Sequence, residues 1–263
     1  MGLNKYSDWT HEDFVKTMNG YRSNKDLNDD EILASTFSES ANIDLPESVD
    51  WRDKGDVTRV RDQGSCGSCY SFAVIAAVES HYSIKTGHLL SLSEQNVIDC
   101  SKSYGNNGCN GGDLDSAMNY IRDHGIYTRK SYPYRGYDHH CMLRAKKSRV
   151  NVKGFMRIPS GNEIELQKAL AFHGPVAVSI DSSHDTFRHY MDGIYHDHRC
   201  SSATENLDHS VLLVGYGTDE YDRDYYIAKN SYGDSWGDQG YFRISRNHNN
   251  HCGIATDALF PIV

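Results

Sequence analysis

Seven cysteines restrict what this chain can become, because the number is odd. In an oxidising compartment six would close three bridges and leave one thiol with a reason to stay free. In a reducing compartment they would instead be buried thiols or zinc ligands. The only C-x-x-C, Cys66 to Cys69, lacks a second C-x-x-C or a histidine pair at finger spacing, so no metal site is expected.

Position singles out Cys69. From Cys69 to Thr86 the chain is apolar nearly all round, and Gly87 follows as a helix stop, which predicts a long central helix. Its first turn holds Cys69, where unpaired backbone N–H groups and the positive end of the helix dipole favour a thiolate over a thiol.

Two further helices are expected nearby. Ser91-Leu-Ser-Glu94 has capping-box spacing and opens a short helix toward Asp99, and residues 113–124 form another that Gly125 ends. After a helix over 163–173, stopped by Gly174 and Pro175, short strands are expected at 176–180, 210–214, 225–229 and 241–244. A helical half followed by a strand-rich half is an α+β arrangement, and a cleft at the boundary of two such lobes is a common catalytic site.

The chain has 263 residues, 38% of them apolar, enough for one large domain or two small ones. It contains no run of eighteen apolar residues, so no membrane span is expected, and no secretion signal is visible. The formal charge of −9 is spread among scattered basic residues, which argues against nucleic-acid binding. Residues 1–44 hold four basic and nine acidic side chains and account for −5 of that charge, with Ser23 to Asp30 reading as a solvated linker.

Gln63-Gly-Ser-Cys66-Gly-Ser-Cys69-Tyr70 fits the C-G-[SA]-C-[WY] signature, and His209 and Asn230 follow Cys69 by 140 and 161 positions. His209 stands in Leu-Asp-His-Ser-Val-Leu-Leu-Val-Gly, and Asn230 in Lys-Asn-Ser-Tyr-Gly-Asp-Ser-Trp-Gly. Together these stretches resemble the papain-like cysteine peptidases, cathepsin L-like in detail, over nearly the whole chain. The resemblance implies a two-lobe fold, a helical lobe over roughly 55–155 and a β-barrel-like lobe over roughly 156–263, with the active site between them.

It further implies a cysteine endopeptidase needing no cofactor, with Cys69 as nucleophile, His209 as base, Asn230 orienting that base and Gln63 as an oxyanion donor. An imidazole beside the thiol takes its proton, and the thiolate–imidazolium pair attacks a peptide carbonyl and later protonates the leaving amine. By the same resemblance the disulfides are Cys66–Cys109, Cys100–Cys141 and Cys200–Cys252, leaving Cys69 free. Bridges of that kind place the protein in a lysosome or outside the cell.

Gly2-Leu-Asn4-Lys-Tyr6-Ser-Asp8 resembles part of the family's inhibitory propeptide, and Leu45-Pro-Glu-Ser-Val-Asp-Trp resembles a mature start. Residues 1–44 are therefore expected to be a truncated, poorly inhibiting propeptide remnant, and 45–263 the peptidase domain. Gly111 and Gly112 resemble the family's substrate-binding edge. A pocket for the side chain two residues before the scissile bond (P2) is expected from Asp113, Leu114, Ser179, Leu207, Ser210 and Asp257, with Asp208, Tyr232 and Trp236 beside the base.

Asp257 stands where a small apolar residue is usual, which suggests acceptance of both apolar and arginine side chains at P2. Tyr70 and Tyr232 replace the usual tryptophans, and Tyr232 is expected to weaken the shield over the His–Asn bond. Protein substrates, the chain's own propeptide and cystatin-like inhibitors are the partners implied, on a monomer. An exopeptidase would need a blocking insertion that is not seen. A weakened paralogue acting as a binding protein is the alternative, although nucleophile and base are both intact.

Overall fold

The computed structural model describes residues 2–23, 35–39, 44–142 and 149–263. The linker expected at Ser23 to Asp30 falls, except for Ser23, outside the described residues, as do positions 40–43 of the expected propeptide remnant. Helices are α1 (His11–Met18), α2 (Cys69–Thr86), α3 (Glu94–Cys100), α4 (Leu114–His124), α5 (Glu163–Phe172) and α6 (Asp185–Arg188). Strands are β1 (Ser35–Thr36), β2 (Val49–Asp50), β3 (Ile126–Tyr127), β4 (Arg149–Val150), β5 (Gly154–Arg157), β6 (Val176–Ile180), β7 (Ile194–Tyr195), β8 (His209–Thr218), β9 (Asp224–Lys229), β10 (Tyr241–Ser245) and β11 (Asp257–Ile262).

The α+β expectation holds, with one correction. The right-hand strands do not close a barrel but form an open sheet in the order β1-β5-β11-β6-β8-β9-β10-β7, with β2 also on β8. At its two ends β1 and β7 join in parallel, while the strands between pair antiparallel. A bulge at Leu213/Gly215 lets the ten-residue β8 serve β6 and β9 along different stretches. Gly215 is required where β2 crosses, since a Cβ there would stand 2.0 Å from the Val49 carbonyl oxygen.

Fourteen of the eighteen α2 residues are buried, which fits an apolar surface nearly all round. One side meets α3 and α4, the other meets β6, β8 and β11. A first core joins these helices to one face of the sheet through Tyr70, Ile75, Leu114, Ile121, Leu212 and Leu259. A second lies on the other face and includes Leu166, Val178, Phe187, Trp236 and Phe242, together with Tyr6, Phe14 and Met18 from the N-terminal segment. The helix α1 follows from Thr10 accepting from the Asp13 N–H and from Phe14 and Met18, four apart, sharing its buried face.

The start of α3 differs from the capping-box reading. Ser93, not Ser91, caps it by accepting from the Asn96 N–H at 3.1 Å, while Leu92 is held in a bridge to Thr128. Glu94 is the first helical residue, and its carboxylate takes Arg61 and Arg129 instead of reaching back to a cap. Ser93 also donates to the Tyr132 carbonyl at 2.6 Å and is fully buried. Ser93→Ala is therefore expected to cost about 1–2 kcal/mol, lowering Tm by roughly 3–6 °C in a thermal melt.

Bridges join Cys66–Cys109, Cys100–Cys141 and Cys200–Cys252, and Cys69 is free and buried. No helix among the described residues is long and apolar enough to cross a membrane.

Candidate active site

Three elements converge on Cys69. It opens α2, and backbone groups of Tyr70, Ser210 and Gly20 reach its sulfur by hydrogen bonding. His209 opens β8 opposite Ile180, and Asn230 directly follows β9. The stretch before Asn230 is fixed by the buried Lys229, whose Nζ donates to the Thr58 carbonyl at 2.6 Å and whose pKa burial pulls down to about 8.

The His209 Nε2 and Asn230 Oδ1 lie 2.8 Å apart. That oxygen also accepts from the Ser231 N–H at 2.8 Å, which identifies it as the amide oxygen. An oxygen can only accept, so Nε2 carries the proton and Nδ1 keeps the lone pair. Nδ1 is buried without a hydrogen-bond partner, a nitrogen equipped to take a proton. The Tyr232 ring covers the imidazole at 4.8 Å and is itself fully buried, with Trp236 edge-on behind it at 5.3 Å.

Gln63 is clamped on every side. Its Oε1 accepts from Ser231 Oγ at 2.6 Å, and its Nε2 donates to the carbonyls of Cys66 and Met18, each at 2.9 Å. The second of these partners is unexpected, because Met18 belongs to the N-terminal segment. Residues 18–22 run through the cleft: the Gly112 N–H donates to the Gly20 carbonyl, and the N–H groups of Tyr21 and Arg22 donate to the carbonyls of Asp208 and Gly112, all at 2.9 Å. Asn19 Nδ2 donates to Asp208 Oδ2 at 2.8 Å, and Ser182 Oγ holds the other oxygen at 2.9 Å. Burial raises the Asp208 carboxyl to about 6.

This covering changes the electrostatics. Burial pushes the Cys69 thiol up to about 11, against the pull of its backbone hydrogen bonds. Burial likewise pulls His209 down to about 4, against the Asn230 bond. With the segment in place the pair is a neutral thiol and a neutral imidazole, not the thiolate expected from the helix terminus. Loss of water outweighs the dipole here.

The other expected residues divide. Gly112 pairs with the segment in a parallel bridge to Tyr21, and Gly111 lies so close that a Cβ would meet the Gly20 carbonyl oxygen at 2.8 Å. Leu207 packs with Tyr21 and Cys69, whereas Leu114 is buried in the helical core. Asp113 caps α4 by accepting from the Ser116 N–H at 2.7 Å. Ser210 and Ser179 lie 3.2 Å apart at their Oγ atoms, and Ser179 donates to Asp257 Oδ2 at 3.2 Å.

Asp257 is already paired within the fold, its Oδ1 accepting from Arg157 Nη2 at 2.9 Å. Sequence reasoning missed Arg157 and Ser182, which touch the site only through tertiary contacts, Ser231, which adjoins Asn230 but reaches Gln63 across the fold, and also Met18 to Tyr21, for which Asn19-Gly20 before an aromatic was the available sign.

The family model for papain family cysteine protease matches residues 45–262. A cathepsin L-like peptidase of Aedes aegypti is 52% identical, covering 99% of this chain and 78% of that protein. Cathepsin L of Sarcophaga peregrina is 49% identical, covering 100% and 78%. Among solved structures, digestive procathepsin L 3 of the Tenebrio molitor larval midgut superposes with a TM-score of 0.91 at 42% identity, covering 100% of this chain and 82% of that one.

Proposed function

The chain belongs to the papain family of cysteine proteases and is a cathepsin L-like cysteine endopeptidase, and from that premise we propose how its residues divide the work. Cys69 is the nucleophile. His209 takes its proton at Nδ1, and Asn230 keeps the imidazole in that tautomer. The thiolate attacks the scissile carbonyl, His209 returns the proton to the departing amine, and water then releases the acyl group from sulfur by the same route. The Gln63 amide and the Cys69 backbone N–H receive the developing oxyanion.

The single observation that carries this reading is the 2.8 Å His209–Asn230 contact, which leaves Nδ1 as the free base on the residue next to Ser210, whose backbone bonds the Cys69 sulfur. Residues 1–44 act as the propeptide, with 18–22 occluding the cleft. Gly111, Gly112 and Asp208 offer the backbone groups that a substrate would use in its place. Protein substrates and the propeptide are its partners. Cystatin-like inhibitors suit the same cleft, and the enzyme acts as a monomer in a lysosome or outside the cell, a setting supported by its three disulfides.

Titration with an epoxysuccinyl inhibitor at acidic pH, with mass spectrometry of the adduct and a fluorogenic peptide to follow turnover, tests the assignment. One adduct per chain on Cys69, with activity lost in proportion, is expected. Activity that survives complete labelling of Cys69 would refute it.

A further inference from the structure

Besides the stretch that covers Cys69, residues 35–39 hold the peptidase domain at a second place. Strand β1 pairs with β5 in parallel, Ser35 opposite Met156 and Thr36 opposite Arg157, and the Phe37 N–H donates to the Arg157 carbonyl at 2.7 Å. Phe37 is buried, its ring edge-on to His173 at 5.1 Å and to Phe260 at 5.4 Å. Those two rings stack on each other at 5.3 Å, so the slot has fixed walls. Two residues on, the Glu39 carboxylate meets His173 Nε2 at 3.2 Å, and the Glu39 N–H donates to Glu165 Oε2 at 3.0 Å. Lys168 stands beside them, its Nζ donating to Glu165 Oε1 at 2.7 Å and lying 3.5 Å from the Glu39 carbonyl oxygen.

A sheet edge reads an extended peptide in this way, with main-chain bonds for affinity and pockets for side chains two apart. Thr36 and Ser38 point to solvent and are not read. The receiving groups, Arg157, Glu165, Lys168, His173 and Phe260, all lie after Leu45, whereas the segment they receive lies before it. In the order β1-β5-β11, loss of β1 leaves β5 as the edge of the sheet, with unpaired main-chain groups beside an aromatic slot. Such an edge is a template for another extended chain.

We propose that the β5 edge is a second docking site of the processed enzyme, one that takes extended segments of protein substrates bearing an aromatic side chain followed two positions later by a carboxylate. Residues 35–39 fill it until they are cut away. The ring supplies affinity by burial, and the carboxylate, facing His173 and Lys168, selects against a cation. The inference rests on residues 1–44 being the removable propeptide.

Binding is tested on the full chain with fluorescein-labelled Ser-Thr-Phe-Ser-Glu, followed by anisotropy. Phe37→Ala removes the chain's own anchor, so the peptide should bind that variant about tenfold tighter than it binds the unaltered chain, whose site is filled. Replacing the peptide's phenylalanine by alanine should abolish the gain. Glu39→Arg opens the site without touching the buried ring, by setting a guanidinium against Lys168 and His173, and should act in the same direction. Equal binding to all three chains overturns the proposal.

Use by substrates is tested on enzyme obtained by processing of the full chain, with two fluorogenic peptides that share one cleavage site. One of them carries Thr-Phe-Ser-Glu on a flexible linker of about 20 residues, and its KM is expected to be about tenfold lower at unchanged kcat. Equal KM values overturn the proposal, and so does labelled peptide that blocks turnover of the untagged substrate, which would place it in the cleft. Mass spectrometry that finds residues 35–39 still joined to the active enzyme would overturn it through the propeptide reading on which it rests. Peptide binding to the opened chains with neither substrate cleaved would support the site while refuting the catalytic reading.

Discussion

A Gly20→Leu chain is expected to lose iodoacetamide from solution onto Cys69 about 100-fold faster than the unaltered chain at neutral pH. A Cβ at Gly20 would stand 2.0 Å from the Gly67 carbonyl oxygen and 2.3 Å from its carbon. Neither atom can give way, because the Gly67 N–H is tied to the Cys109 carbonyl at 2.9 Å and Cys109 is bridged to Cys66. The segment must lift, surrendering the contacts of Met18, Gly20, Tyr21 and Arg22 together. Water then reaches a sulfur that is now completely covered.

The sign of the pH dependence follows from the burial. A thiol pushed up to about 11 is protonated at neutral pH, so alkylation of the covered chain should climb with pH almost to that value. Uncovering removes the desolvation that raised it, and the thiolate fraction at pH 7 grows by about two orders of magnitude. Its lower basicity reduces nucleophilicity and offsets part of the gain, but easier access works the other way. The rate in the Gly20→Leu chain should therefore level off at a lower pH than in the unaltered one. Equal rates and parallel pH profiles in the two chains would show that the segment does not guard the thiol in solution.

For Gln63→Ala, kcat/KM is expected to fall about 100- to 1000-fold, with most of the loss in kcat. The Gln63 Nε2 already grips a carbonyl oxygen in the cleft, that of Met18, at 2.9 Å. A substrate carbonyl brought to the same donor would gain negative charge during attack, so the bond strengthens most in the transition state. Ser231 Oγ sets the amide's direction through Oε1, and Ser231→Ala should produce a smaller loss of the same kind. Concentrations must be normalised by titrating reactive Cys69, which neither substitution removes. A rise in KM with kcat unchanged would make Gln63 a binding residue and nothing more.

How much of this was legible in the chain varies with the range of the forces involved. The helix opening at Cys69 and ending at Gly87 could be read because propensity, capping and a left-handed glycine act within a few residues of one another. So could the cores of β6, β8, β9 and β10, as short apolar runs between turn residues. The extension of β8 back to His209 and forward to Thr218 was not visible, since both ends are set by partners in β6 and β9. The cap of α3 moved from Ser91 to Ser93 for a related reason: Glu94 neutralises Arg61, and no local pattern reveals a cation 33 positions away.

By itself, then, the sequence determined the family, the residue types available for nucleophile, base and orienting amide, and an odd cysteine at a helix start. These properties are local or carried by motif. Tertiary structure decided the state of those groups. It laid residues 18–22 over the sulfur, so that desolvation keeps thiol and imidazole neutral, and it joined Asp257 to Arg157 across 100 positions. A charge's behaviour depends on the water and partners left around it after folding, and those are assembled from segments that are remote along the chain.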